Sequence, residues 1–209
     1  MATIYQAAGK RFFDVVIASV GLIVTSPIQF AAAISVRMDI GSPVLFRHQR
    51  PGKDGESFVL LKFRTMRNAV DSSGHALPDE RQLTALGRFL RSTSIDELPE
   101  LWNVLRGQMS LVGPRPLLME YLERYTPEQA RRLEVRPGIT GLAQTSGRNA
   151  ISWEEKFRLD VQYVEDVSLA LDLKILGQTI IAVFRRGGIA AEGHATMPEF
   201  RGNPPETDC

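Results

Sequence analysis

Between Asp14 and Arg37 the chain runs for 22 residues, Val15 to Val36, without a charge, close to the roughly 20 apolar residues a helix needs to cross a bilayer. Ser26-Pro27 sits near the middle of this run. The proline has no N–H to give to the carbonyl of Ile23 and its ring pushes that turn apart, so a bend is expected there. The hydroxyls of Thr25 and Ser26 stand beside the break, where they can satisfy backbone groups that hydrocarbon would leave bare. Lys10 and Arg11 precede the run, and Arg37, Arg47 and Arg50 follow it. Positive flanks mark the cytoplasmic side, so both ends point to the same side. That pattern favours a re-entrant helix hairpin dipping into one leaflet of the lipid bilayer. A proline-kinked core helix and a plain spanning helix remain as alternatives. A cleaved signal peptide fits badly, because Ala31-Ala32-Ala33 runs on into more apolar chain where a mature domain should begin.

A chain of 209 residues holds one well-buried domain with an appendage. The division expected is a membrane helix with basic flanks over 1–40, a cytosolic domain over 41–200 and a disordered tail over 201–209. The net charge of +1 hides an asymmetry: residues 1–67 carry nine Lys/Arg against four Asp/Glu. The basic end is also the apolar end, which suits anionic lipid heads and disfavours a nucleic-acid partner. The single cysteine, Cys209, excludes an internal disulfide framework.

The remaining pattern predicts an α/β fold in which helices dominate a small, irregular sheet. Pro43–His48 and Ser57–Met66 read as a β-hairpin around a Gly/Pro/Asp turn, Pro51 to Gly55. Asn68–Asp79 reads as a loop, followed by helices over Glu80–Leu90 and Glu97–Leu105. Thr126-Pro127-Glu128-Gln129 carries an N-cap, a first-turn proline and a capping-box glutamine, which predicts a helix to about Glu134. Ser152-x-x-Glu155 is a second capping box and opens a helix to about Glu165. Leu169–Arg186 sets Leu173, Leu176, Ile180 and Val183/Phe184 at helical spacing, which predicts a core stripe and leaves an interfacial role open.

Chemistry concentrates around Ser94-Ile95-Asp96-Glu97-Leu98-Pro99-Glu100. With Asp96 as an N-cap, Pro99 falls at a position that needs no N–H, so helix capping alone explains the acids. The same place would hold Asp96 ionised beside a positive helix end, as a carboxylate nucleophile or hard-metal ligand requires. Nearby loops supply groups suited to phosphate. Arg88 and Arg91 lie upstream, and Val112-Gly113-Pro114-Arg115-Pro116 presents Arg115 between prolines. Arg136-Pro137-Gly138-Ile139-Thr140-Gly141 and Ser146-Gly147-Arg148-Asn149 place Arg136 and Arg148 beside glycines, where main-chain N–H groups can approach an anion. Arginine's planar fork suits bidentate contact with phosphate, and several such loops in one stretch point to an oligophosphate site.

Taken together these residues resemble the monotopic phosphoglycosyl transferases, the bacterial sugar transferases that start glycan assembly on polyprenyl phosphate. The resemblance rests on Lys10-Arg11, Thr25-Ser26-Pro27, Lys62-Phe63-Arg64-Thr65-Met66, Asp96-Glu97-Leu98-Pro99, Gly113-Pro114-Arg115-Pro116, Arg136 to Gly141 and Gly147-Arg148-Asn149, in that order. The length, with no extra N-terminal domain, is similar to that of the small single-domain members. The resemblance implies a re-entrant helix at the cytoplasmic face of the inner membrane, Mg²⁺ dependence and a covalent intermediate. In that scheme Asp96 attacks the β-phosphorus of a UDP-sugar and expels UMP, after which polyprenyl phosphate takes the phosphosugar from the aspartate. Asp96 and Glu97 would share the metal. Arg91, Arg115 and Arg148 fall at phosphate-binding positions, and Lys62 lies in a motif near the site. Two further possibilities stand beside the transferase: a lipid-linked pyrophosphatase or phosphodiesterase in which water replaces the lipid, and a non-catalytic membrane scaffold. The oligomeric state and the sugar stay open.

Overall fold

A computed structural model describes residues 5, 9–67, 79–147, 151–185 and 199–202, with the backbone alone at 79, 80, 184 and 185. It is mostly helical, with two small sheets and one long apolar N-terminal helix, α1 (Lys10–Asp39). The expected loop before Asp79 falls at residues 68–78, and most of the expected tail at 203–209, outside the described residues.

α1 runs without interruption through Pro27. The carbonyl of Ile23, orphaned by the proline, accepts from Ser26 Oγ at 2.8 Å, and Thr25 Oγ1 donates to Gly21 O at 2.6 Å. The local hydroxyls thus answer the break as its sequence predicts, within one helix. α1 is long and apolar enough to cross a membrane, yet both its ends pack on the same body. Near the N-terminal end, buried Asp14 accepts from Ser110 Oγ and Leu111 N, each at 3.0 Å, and Ala18 joins the core of Val104 and Met109. Near the other end, Ala32 and Val36 pack with Phe63 and Leu90. The opposite face stays bare and apolar: Phe12, Ile23 and Met38 are 73%, 74% and 82% exposed.

Two of the basic flanks are structural groups rather than free headgroup contacts. Lys10 Nζ pairs with buried Asp172 at 2.7 Å, and Arg11 donates to Val104 O and Leu105 O at 2.6 and 2.8 Å. Their charge is spent closing the fold around the start of α1.

The hairpin forms as expected, trimmed at both ends to β1 (Leu45–Pro51) and β2 (Ser57–Phe63), in register from Leu45↔Phe63 to Pro51↔Ser57. The free edge of β2 is closed by one side chain. Asn103, fully buried, accepts from Leu61 N at 3.1 Å and donates to Val59 O at 2.7 Å, so an amide takes the place of a third strand.

The helix expected over Glu80–Leu90 is split into α2 (Asp79–Gln82) and α3 (Ala85–Ser92). Thr84 is extended between them, and its hydroxyl caps α3 by accepting from Gly87 N at 2.9 Å. The helix expected from Glu97 is also displaced. Ser94 turns left-handed (φ 56°), Ile95–Glu97 form a 3-10 turn, and α4 (Glu100–Leu105) begins only after Pro99 at its N-cap. Pro99 cannot donate back to Ile95, and that turn closes instead through Leu98 N to Ile95 O at 3.2 Å.

Beyond α4, β3 (Ser110–Val112) pairs in parallel with β4 (Gly138–Thr140). Between them lie a 3-10 stretch, Met119–Arg124, and α5 (Pro127–Ala130), whose capping box forms as expected and which tightens into a 3-10 turn by Leu133. α6 (Leu142–Ser146) leads to α7 (Trp153–Asp166), capped by Ser152, and α8 (Leu169–Arg185). The core stripe expected on α8 points outward at Leu173 and Ile180, which are exposed. Its inward face holds buried Asp172, bonded to Lys10 and Tyr163, Ile175 in the main core, and Thr179, bonded to Thr140. The polar anchors, and not the aliphatic count, decide which way α8 turns.

Candidate active site

The site gathers where β2, the Ile95–Glu97 turn, the first turn of α4 and the loop after β3 meet. Lys62 sits near the end of β2, and the Asn103 stitch holds that strand against α4. Its Nζ lies 2.7 Å from Glu97 Oε1 and 3.1 Å from Glu100 Oε1. Arg115 reaches the same Glu97 oxygen at 2.9 Å. Arg91, in the last turn of α3, donates from Nε to Thr65 Oγ1 at 3.1 Å, and its charge acts on Asp96.

Asp96 is not a cap. It lies inside the 3-10 turn, 8% exposed, with no hydrogen bond or ion pair to any described residue. The capping explanation, which would account for the acid without function, therefore fails. The side chain does not serve as the helix cap that its position suggests. Burial first, and then the neighbouring Glu97 charge, push its carboxyl up to about 6 against the pull of Lys62, Arg91 and Arg115. Glu97 goes the other way: burial raises it, but Lys62 and Arg115 outweigh that and hold it well below the usual carboxylate range. Glu100, buried and next to Glu97, is pushed up to about 7. One acid is thus permanently charged and locked between two cations. A second, pushed up toward neutrality, has oxygens that no described residue claims.

Neighbouring acids with pKa values driven apart are an arrangement suited to dividing chemical roles. Among the described residues no three His, Cys, Asp or Glu side chains form a metal cage. Mg²⁺ is commonly held by one or two carboxylates with water and substrate phosphate completing the octahedron. Asp96 and Glu97 fit that mode, since Glu97 spends only Oε1 on its cations.

Of the residues singled out by sequence, Lys62, Arg91, Asp96, Glu97 and Arg115 come together. Arg88 and Arg136 do not: Arg88 faces solvent and donates to Leu83 O at 3.2 Å, and Arg136 donates to Gly107 O at 2.8 Å. Arg148 lies outside the described residues. The glycines near Arg115 and Arg136, expected to bare N–H groups to an anion, pack backbone on backbone instead. A Cβ on Gly113 or Gly141 would run into a main-chain oxygen of the facing segment, and Gly113 N and Gly138 N are already bonded to Thr140 O and Pro114 O.

Three site groups escaped the sequence. Glu100 stands one helical turn beyond Asp96, a spacing that alone could have flagged it. Arg50 meets the site only through the hairpin register. Arg132 is buried in an ion pair with Asp160 at 2.7 Å, and its Nη2 also donates to the carbonyl of Arg115 at 2.7 Å, while Nη1 reaches Tyr125 OH at 3.1 Å. That pair, backed by Tyr125 and Phe157, anchors the loop that carries Arg115.

A family model described as bacterial sugar transferase matches residues 5–186. Over 194 residues, 93% of this chain and 96% of the relative, the sequence is 56% identical to an uncharacterized sugar transferase, EpsL, of Bacillus subtilis. It is 41% identical to the UDP-glucose:undecaprenyl-phosphate glucose-1-phosphate transferase of Caulobacter vibrioides, covering 82% of this chain and 68% of that one. It is 39% identical to the undecaprenyl-phosphate galactose phosphotransferase of Salmonella typhimurium, covering 86% of this chain but only 41% of that one.

Proposed function

The chain belongs to the bacterial sugar transferase family, and from that premise we propose that it moves a sugar phosphate from a UDP-sugar to polyprenyl (undecaprenyl) phosphate, releasing UMP. Relatives named for transfer from UDP-glucose and for undecaprenyl phosphate support the donor and acceptor classes. The product, a polyprenyl diphosphate sugar, starts the membrane stage of glycan assembly. The observation that carries the mechanism is Asp96: a buried carboxylate without a hydrogen bond among the described residues, beside a glutamate already neutralised by Lys62 and Arg115.

In this mechanism Asp96 is the nucleophile. One of its oxygens attacks the β-phosphorus and the bond to UMP breaks; the acceptor phosphate then attacks the same phosphorus and frees the aspartate. Arg115, Arg91 and Lys62 spread positive charge where the phosphoryl group develops negative charge. Glu97 holds Lys62 and Arg115 in place and offers its second oxygen toward a metal. Mg²⁺, when bound, would neutralise the diphosphate and polarise the bond that breaks. The acceptor phosphate is largely ionised near neutrality, so no general base is required.

The chain works at the cytoplasmic face of the inner membrane, with the bare face of α1 buried in one leaflet and the Ser26-Pro27 break letting it re-enter. Support comes from both ends of α1 packing on one body, which favours a placement with both ends on the same side. Cysteine labelling at Thr3 in intact cells tests the topology, and labelling from the periplasmic side would sink it. A product screen with UDP-glucose and UDP-galactose tests the chemistry. UMP release and a phosphosugar adduct that disappears in Asp96→Asn are expected. Release of UDP would point to ordinary glycosyl transfer, and turnover without lipid acceptor to a hydrolase.

A further inference from the structure

Among the described residues, half-buried cations have partners, with one exception. Arg132 has Asp160, Arg115 has Glu97, Lys62 has two glutamates, Lys10 has Asp172 and Arg11 has two carbonyls. Arg50 makes no hydrogen bond or ion pair to a described residue, and its Nε is buried without a partner. Its nearest charged neighbours include another guanidinium, Arg115, as well as Glu100, and burial followed by Arg115 depresses its pKa. An unpaired buried charge is costly, and a fold retains one where a ligand completes it.

The hairpin register sets the direction. Cross-strand partners share a face, so Phe46, His48 and Arg50 on β1 stand on the same face as Lys62, which is paired with Phe46. Arg50 thus approaches Glu100 from the side from which Lys62 already reaches it. On that face His48 Nδ1 is a second buried nitrogen without a partner. The residues that follow Arg50, Pro51 and Gly52, wall a small pocket together with Pro114, Arg115 and Pro116. Arg115 is the shared neighbour: its charge acts on both Asp96 and Arg50.

We propose that Arg50 binds the phosphate that stands opposite Asp96 across the transferred phosphorus, and that the same position serves UMP in the first half-reaction and the lipid phosphate in the second. This rests on the two-step transfer described above. Displacement at phosphorus runs in line, so the leaving oxygen departs opposite the attacking one. When the Asp96 oxygen bonds to phosphorus, the bond to the UMP phosphate breaks and its electrons leave on UMP. In the return step an oxygen of the lipid phosphate bonds to phosphorus, and the bond to Asp96 breaks to restore the carboxylate. The leaving phosphate and the attacking phosphate occupy the same side in turn, and one guanidinium there meets both.

The test uses the full chain in detergent, as wild type, Arg50→Met and Arg50→Lys. UMP affinity is titrated directly, and kcat/KM is measured separately for the UDP-sugar and for undecaprenyl phosphate. Loss of one charge-assisted contact predicts about tenfold weaker UMP binding in Arg50→Met and similar falls in both kcat/KM values, with partial recovery in Arg50→Lys. Melting should not fall, because Arg50 holds no partner among the described residues. UMP affinity within about twofold of wild type would overturn the proposal. A fall in only one of the two kcat/KM values would overturn the shared position and assign Arg50 to one substrate. Were the wild type to release UDP instead of UMP, the two-step reaction would fail on its own, and the UMP titration would still decide whether Arg50 holds a nucleotide phosphate.

Discussion

Two buried charge clusters lie close together in this protein, and they are finished to different degrees. At Arg132 every direction of the guanidinium is met, by Asp160, Tyr125 and the Arg115 carbonyl. Around Asp96 the pairing is left open: Glu97 is paired with two cations, while Asp96 and Arg50 hold no hydrogen bond or ion pair among the described residues. Folding alone explains the first cluster. The second is intelligible only if something charged arrives from outside, since unpaired buried charge otherwise weakens the fold. Completeness of pairing, more than burial or residue type, separates scaffold from site.

The comparison predicts opposite outcomes on the two sides, and the largest is at Asp96. Asp96→Asn should lower turnover by about 10³-fold or more, as removal of a nucleophile does. The same variant should be more stable than wild type. The folded-state pKa of Asp96 is raised to about 6 from 3.8, so folding favours its protonated form, and the cost of ionising it grows as pH rises between those values. A neutral amide escapes that cost, so melting at pH 8 should rise by an amount worth about 1–2 kcal/mol, with no gain at pH 3. Differential scanning at both values checks this. An inactive but destabilised Asp96→Asn would mean that the carboxylate is structural and the comparison wrong.

Next in size, Asp160→Ala should cost about 3–5 kcal/mol, because it strands Arg132 in a dry environment. Activity should fall with folded fraction, and what remains should show an impaired KM for the donor, since the Arg115 loop loses its anchor. Chemical denaturation beside kinetics separates the two effects. A variant of full stability would show that the finished cluster is as dispensable as a surface pair.

Protonation tests the open cluster from another side. Only the ionised carboxylate of Asp96 attacks, and kcat/KM reports the free enzyme. Its value for the UDP-sugar should therefore drop as pH falls through about 6. Glu97, held far below that, should contribute no inflection between pH 5 and 8. A flat profile across that window would remove Asp96 from the bond-making step.

Sequence made parts of this contrast visible and hid others for a physical reason. Local chemistry was legible: the Ser26 hydroxyl answering the Pro27 break, the Thr126 and Ser152 caps, the hairpin turn, and the arginine and lysine motifs that converge on Glu97. Long-range pairing was not. Asp96 reads as a helix cap because a cap needs only its neighbours, and its actual environment is set by Lys62, 34 positions earlier, and by the Arg115 loop. Arg50 looks like a membrane-flanking charge until the β1–β2 register puts it on the same face as Lys62. The exposed stripe of α8 is fixed by Asp172 meeting Lys10 and Tyr163. Helical periodicity cannot see a partner 162 residues away. The glycines near Arg115 and Arg136 promised an anion cradle, and turned out to make room for one backbone against another.

The smallest expected effect probes the premise that pairing matters only where water is absent. Arg158 and Glu155 form a bidentate contact on α7, with Nη2 to Oε1 at 2.6 Å and Nε to Oε2 at 2.7 Å. By geometry it rivals Arg132–Asp160, but the arginine side chain is 60% exposed. Water competes for both partners, and ordering two long side chains has its own entropy cost, so such pairs contribute little. Glu155→Gln keeps the backbone N–H that Ser152 caps, and its melting temperature should match wild type within measurement error in low and in high salt. If instead it melted as early as Asp160→Ala, bond geometry and not desolvation would set what a charge pair is worth here. The unpaired Asp96 and Arg50 would then cost the fold little, and the inference that they await a phosphate would lose its physical ground.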